Sequence, residues 1–496
     1  MRKYVLGRLV RSIISIFLVV MIAIIMVYTL VPKDNVFNND NMIAKLNGKP
    51  DEKIRYMYNT WQKLGYLTYV EQSDMCRELD SDYSACMVVG SEASLKVKDY
   101  YEGEGWTVME FPISKLLYAS KDKPVSSLVL GWFANLIKID HTGRISDSGN
   151  PDLERKIYFG SDHNGMPSLK CSGCENKYLL YLDGNFPFIH QNFISLDFGM
   201  SYPTYSGRTV VAVITDDQGE AVSQQLTFPT GQSMSSPINM HQCKYKPSAT
   251  LDKLDLNKFI DNYANCSTNQ ADPSMVVTSF IFGILALIVS YAIGLPSGIM
   301  MAAQKGKLGD KIGLVYINFM IAVPSLAFIF FFKLVGNSIL GLPEKFPVFG
   351  AGDIRSYILP ILILGLLSTA GLMIWIRRYM IDQSSADYVK FARSKGLSQN
   401  EIFVKHILRN AIIPVVQGLP SSIIATISGA VITETVFAIP GMGKMLPDAI
   451  KGYNNPMVIA LTFVFTTLSI LSLLLGDVLV TFVDPRIQLE TKGGSR

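Results

Sequence analysis

Few residues in this chain have a type and spacing that could do covalent chemistry. Six cysteines, Cys76, Cys86, Cys171, Cys174, Cys243 and Cys266, all fall in one segment. An even set confined in this way points to disulfides and to an oxidising compartment. Nearness along the chain favours Cys76 with Cys86 and Cys243 with Cys266, and leaves the pairing otherwise open. Cys171-Ser-Gly-Cys174 has the spacing of half a zinc site, but no second pair follows, so a disulfide is the favoured reading. His141, His163, His190 and His241 lie in the same segment without ligand spacing. No phosphate-binding loop occurs. Gly441-Met-Gly-Lys444 lacks both its hydroxyl and its spacing, and neither H-E-x-x-H nor G-x-S-x-G is present. Ser120-Lys-Asp-Lys123 matches S-x-x-K, a pattern too short to carry weight. The chain is expected to have no catalytic residue, to hold no metal or cofactor of its own, and to draw any energy it uses from a partner.

The remaining chemistry-bearing residues sit in apolar surroundings. Glu434 closes one apolar stretch and Asp477 lies inside another. Carboxylates inside a membrane usually face a helix-bundle interior or a watery path, or else tie helices together. The fifth apolar stretch also carries Gln417, Ser421, Ser422 and Thr426, which with Glu434 and Asp477 form a candidate path lining. Interhelical hydrogen bonding is the competing role.

The elements that place these residues follow from composition. Of 496 residues 49% are hydrophobic, the mean hydropathy is +0.26, and the net charge of +4 leaves no nucleic-acid footprint. A basic start (Arg2, Lys3, Arg8, Arg11) precedes an apolar run from Ile13 to Val31 that reaches the ~20 residues a span needs. Without a small-residue cleavage site it reads as an uncleaved first span in a segment 1–32. Five more spans are expected near 275–303, 312–334, 354–376, 411–433 and 456–482. They place a five-helix core at 273–486 and a short tail at 487–496. Pro324, Pro360, Pro414 and Pro420, with Gly294-Leu-Pro-Ser-Gly298, Gly418 and Gly429, suit close and bent helix packing.

Residues 33–272 differ in kind. At about 240 residues this segment can bury its own core, and it reads as an inserted α+β domain. Ile54, Met57, Tyr58, Trp61 and Leu64 mark a helix, and Val125–Ile139 a buried helix. Thr209–Ile214 and Ala221–Phe228 read as a hairpin. The inner loops between spans hold most of the Lys and Arg, whereas the short outer loops 335–353 and 435–455 hold only Lys345, Lys444 and Lys451. This asymmetry puts both termini in the cytoplasm and the cysteine segment outside. The fold class is therefore a six-span α-helical membrane protein with a large extracellular α+β insertion.

One polar stretch, Asp387 to Asn410 within the inner loop 377–410, falls between two spans. Tyr388, Phe391, Ala392 and Leu397 fall near one helical face, with Lys390, Arg393 and Lys395 around it, and Gly396 ends the helix. A short amphipathic helix held between two spans is suited to docking.

Tyr388-Val-Lys-Phe-Ala-Arg-Ser-Lys-Gly396-Leu, followed by His406-Ile-Leu-Arg-Asn-Ala-Ile-Ile-Pro414, resembles the cytoplasmic EAA loop of binding-protein-dependent ABC importer permeases, in their oligopeptide/dipeptide branch. Ala292–Gly298, Glu434-Thr-Val-Phe-Ala-Ile-Pro-Gly-Met-Gly443, Leu196–Ser201 with Gly207–Val210, and Asp484-Pro-Arg-Ile487 are similar to the same branch. The long insertion resembles that of Ami-type permeases of Gram-positive bacteria. The family's Glu-Ala-Ala position reads Lys390-Phe391-Ala392 here, so only Ala392 and Gly396 keep its letters.

The resemblance implies one half of a type I importer. Asp387, Tyr388, Lys390, Phe391, Ala392, Arg393, Lys395, Gly396, Leu397 and His406 would form the coupling element. Tyr388, Phe391 and Leu397 would supply its apolar contact, and Lys390, Arg393 and Lys395 its polar rim. Implied partners are a second homologous permease subunit, two cytoplasmic ATPase subunits carrying ATP and Mg2+, a lipid-anchored extracellular peptide-binding protein, membrane lipid and an oligopeptide substrate. An exporter-like or mechanotransmission subunit, or a sensor with a ligand-binding outer domain, is the alternative class.

Overall fold

The computed structural model describes residues 2–79, 82–184, 188–348, 350, 352–428 and 431–483, with the side chains of 2–5 and 426–428 left aside. The segment Asp484–Ile487, the tail 487–496 and Gly429 lie outside the described residues, as does the side chain of Thr426. The chain divides into two compact units, one of Met1–Ala23 with Ser274–Arg496 and one of Ile24–Pro273.

The first unit is helical. Its main helices are α1 (Arg2–Leu30, of which the part up to Ala23 belongs to this unit), α2 (Met275–Ala303), α3 (Leu308–Ala322), α4 (Ser325–Leu340), α5 (Arg355–Ser384), α6 (Asp387–Ser394), α7 (Ile413–Ser428), α8 (Val431–Phe437) and α9 (Asn455–Val483). Four of them, α1, α2, α5 and α9, are long and apolar enough to cross a membrane. Two bent pairs bring the number to six if each pair is one span.

The third expected span, 312–334, is not one continuous helix: it falls on α3 and α4, bent by 106°. The break falls at Val323-Pro324, where the residue before proline is forced into an extended conformation (φ −78°, ψ 126°) and proline has no N–H to continue the helix. Beyond the break, Lys333 is buried, its ammonium donating to the Val436 carbonyl at 3.0 Å. Helix α5, in the place of the fourth expected span, runs on to Ser384, so the first eight residues of the expected loop 377–410 are helical.

Helices α2 and α5 pack through small residues. A Cβ on Gly294 would lie 3.2 Å from Leu372, one on Gly298 3.0 Å from the Met373 carbonyl, and one on Gly365 2.7 Å from Val289. Phe282, Ala286, Ile329, Ile363 and Phe437 form part of the core around them.

The second unit is α+β. Helix Pro50–Lys63 begins on a proline and buries Trp61 against Tyr66, Tyr69, Phe111 and Tyr118, an aromatic core beside a three-stranded antiparallel sheet of Leu67–Glu71, Leu117–Asp122 and Thr107–Glu110. A four-stranded antiparallel meander follows, from Lys156–Ser161 through Pro167–Ser172 and Tyr178–Leu182 to Ile189–Gln191. Three disulfides join Cys76 to Cys86, Cys171 to Cys174 and Cys243 to Cys266. The last spans two antiparallel strands at directly opposed positions.

Two expectations in this unit are corrected. Val210–Thr215 is a helix, not a hairpin arm: Thr209 caps it by accepting from the Ala212 N–H, and the buried residues are Val210, Val213 and Ile214. That i, i+3, i+4 spacing outweighs the β-branched composition. Gln224–Thr227 pairs instead with Ser233–Ser236. Val125–Asn135 is helical, but its apolar residues run all round, so Val129 is buried while Leu130 is 66% exposed.

Candidate functional site

The polar stretch folds as a helix fastened on one side. Val389 and Ala392 of α6 are buried against Ile376 and Met380 of α5, and against Ile402, Ile407, Ala411 and Val415. Tyr388 is half-buried, its hydroxyl donating to Gln383 Oε1 at 2.7 Å and towards the His406 carbonyl at 3.4 Å. Helix α6 ends in a left-handed glycine, Gly396 (φ 77°). The Gly396 N–H donates to the Arg393 carbonyl and the Leu397 N–H to that of Ala392, a Schellman ending that turns Leu397 back onto the same apolar cluster.

Phe391 is left pointing outward, 61% exposed, with the Lys395 ammonium 4.5 Å above its ring. The expected shared face of Tyr388, Phe391, Ala392 and Leu397 is therefore divided: Ala392 is buried, the Schellman turn and the Gln383 bond take Leu397 and Tyr388 inward, and Phe391 alone of the four points out. Asp387 and Lys390 form an exposed pair at 2.8 Å one turn apart, Arg393 is exposed, and His406 is half-buried. Sequence reasoning passed over Val389, the most deeply buried residue of the helix. Its spacing of three from Ala392 is the signal that marks the inner face.

The second feature is a cavity of about 520 Å³ between α2, α5 and α7, lined among others by Ser290, Tyr291, Trp375, Tyr379, Pro414 and Ser422. Of the polar residues expected along a path, Ser422 is at this wall. Gln417 and Ser421 point towards α9, where they meet Asp477 (3.4 Å) and Ser472 (3.2 Å). Asp477 also pairs with Arg8 at 2.9 Å, so its carboxylate links α1, α7 and α9. Glu434 is buried away from the cavity lining: Ser279 Oγ donates to it at 2.7 Å and the Lys444 N–H at 3.0 Å, while the Met442 N–H donates to Ser279. The aromatic lining, with Trp375 stacked on Tyr379 at i+4, was not singled out from sequence.

A bundle of apolar helices around a cavity, with a short amphipathic helix fastened between two of them, defines a membrane transport subunit, and the family model for the binding-protein-dependent transport system inner membrane component matches residues 294–489. The chain belongs to this family of multi-pass plasma-membrane permeases. It is 44% identical over its full length to the whole of the oligopeptide transport system permease protein AmiC of Streptococcus pneumoniae. Over 45% of its length it is 32% identical to 74% of the dipeptide transport system permease protein DppB of Lactococcus lactis. A MetNI methionine ABC transporter chain in an inward-facing conformation aligns with 42% of this chain and 94% of its own length, at 16% identity and a TM-score of 0.34.

Proposed function

We propose that this chain is one of two transmembrane subunits of an ATP-driven oligopeptide importer and that α6 is its coupling helix. The observation that carries the reading is the geometry of Phe391: an exposed aromatic ring on a helix whose opposite face, Val389 and Ala392, is locked into the protein's own core. Such a helix can receive a push and deliver it. A groove on a cytoplasmic ATPase subunit takes Phe391, with Lys390, Arg393 and Lys395 as the polar rim. Movement of α6 is transmitted through Ile376, Met380, Ile407 and Val415 into α5 and α7, because close-packed side chains carry displacement rather than absorb it. These helices line the cavity, so opening and closing of the path follows from movement of the loop.

In this reading both termini and the 377–410 region are cytoplasmic and residues 33–272 are extracellular, in keeping with the Lys/Arg asymmetry and the three disulfides. The chain binds no nucleotide itself. ATP and Mg2+ belong to two cytoplasmic ATPase subunits, the second half of the path to a homologous permease, and the delivery of peptide to a lipid-anchored extracellular binding protein. The full-length likeness to an oligopeptide permease supports peptide as the cargo.

The test is Phe391→Asp in the assembled complex. ATPase subunits should dock poorly and hydrolysis should no longer respond to peptide-loaded binding protein, while the permease pair remains inserted. Normal peptide uptake by this variant would sink the assignment.

A further inference from the structure

The α+β unit brings Asp162 and His163, neighbours in sequence, together with the distant His241. Asp162 follows strand Lys156–Ser161, and His241 lies 79 residues later on strand Ile238–Lys244. The Asp162 side chain is fully buried. One carboxylate oxygen accepts from the Asn164 and Met166 N–H groups, both at 2.8 Å, and the other lies 2.7 Å from His241 Nε2. His163 stands beside them, its ring 4.5 Å from that of His241, and its Nδ1 is buried without a hydrogen-bond partner. Tyr181 stacks on His241 at 4.3 Å and fixes the plane of its ring.

One ligand atom from each of Asp162, His163 and His241 lies within 4.8 Å of the other two. We propose that these residues form a zinc site. The backbone N–H pair on Asp162 Oδ1 and the stacked Tyr181 are the supports that orient ligands around a metal. Two imidazoles and one carboxylate favour zinc-class ions over calcium or magnesium, which prefer all-oxygen shells. A plain Asp–His hydrogen bond accounts for two of the three residues and leaves His163 with a buried nitrogen that needs an explanation. A bound metal gives that ring the polar partner the protein does not. The six cysteines are all in disulfides, so no thiolate competes for the ion. The site fastens the 162–166 turn to the 238–244 strand.

The test uses the full chain in detergent, under non-reducing conditions, without a polyhistidine tag and stripped with EDTA. Titration with zinc chloride should show saturable binding of one zinc per chain and an upward shift of the thermal midpoint that EDTA reverses. Calcium and magnesium chloride should produce neither. His163→Ala should abolish the binding and the shift, and so should Asp162→Asn if it folds. His190→Ala should retain both, because His190 stacks on Tyr181 and is not one of the three ligands. No saturable zinc binding by the wild-type chain would overturn the proposal, as would undiminished binding by His163→Ala.

Discussion

Asp310 and Arg377, 67 residues apart, meet in a two-pronged ion pair, with Arg377 Nε 2.6 Å from one carboxylate oxygen and Nη2 2.8 Å from the other. The Asp310 side chain is only 3% exposed and also accepts from the Gly306 N–H, so one carboxylate holds the 303–308 turn and α3 against α5. Removing one partner of such a pair leaves an uncompensated charge. Arg377→Ala should cost about 3–5 kcal/mol, and Arg377→Lys should recover part of it but lose the fork. The double variant Asp310→Ala/Arg377→Ala should be more stable than Arg377→Ala alone. Thermal midpoints in detergent check the order, and a double variant no better than the single one would show that the charge itself is not the cost.

Helices α2 and α5 are in contact at backbone distance where Gly365 meets Val289 and the Ala286 carbonyl, 2.7 and 2.9 Å from where a Cβ would be. Backbone cannot yield as a flexible side chain does. Gly365→Ala should therefore destabilise by about 1–3 kcal/mol by forcing the helices apart. Gly371→Ala, on the same helix with nothing within 4 Å, should be near neutral or slightly stabilising. Paired melting curves of the two variants test the contact.

Glu434, expected from sequence to face a path, instead anchors the 441–444 turn to α2 through Ser279 and the Lys444 N–H. Glu434→Ala should leave those donors buried without an acceptor, at about 1–3 kcal/mol, whereas Glu434→Gln keeps an oxygen in place and should lose less. If Glu434→Ala abolished transport with the thermal midpoint unchanged, the anchoring role would be wrong and a path role restored.

What sequence reveals here is what a few neighbouring residues decide. The long apolar runs, the Gly294-x-x-x-Gly298 contact and the helix stop at Gly396 are all local, and each is visible in the order of residues. The inward turn of Leu397 was hidden because it depends on two backbone hydrogen bonds made after the helix ends. Pro324 was visible, but a proline in an apolar run is as compatible with a mild kink as with a 106° break. The sharper outcome depends on distant partners, such as the Val436 carbonyl that receives Lys333. Asp162 and His241 illustrate the same limit, since nothing local says that two strands will bring them to 2.7 Å.

Asp147 gives the α+β unit a dependence on acid. Its carboxylate accepts from Ser248 Oγ at 2.7 Å, the Ser248 N–H at 2.8 Å, the Tyr245 hydroxyl at 3.0 Å and the Gly149 N–H at 3.0 Å, tying together segments 101 residues apart. The Ser248 hydroxyl foremost, then its N–H, hold the carboxyl at a pKa of about 2, below the usual 3.8. A group whose folded pKa is depressed contributes stability that is fully present above its unfolded value and fades as pH falls through the folded one. The contribution of Asp147 should therefore be complete above pH 4 and disappear as pH drops towards about 2. Asp147→Asn removes the ionised acceptor at every pH. The thermal midpoint of the wild-type chain should exceed that of the variant at neutral pH, and the gap should close over that acid window. A gap that stays constant down to pH 2 would mean the charge of Asp147 plays no part in holding Ser248.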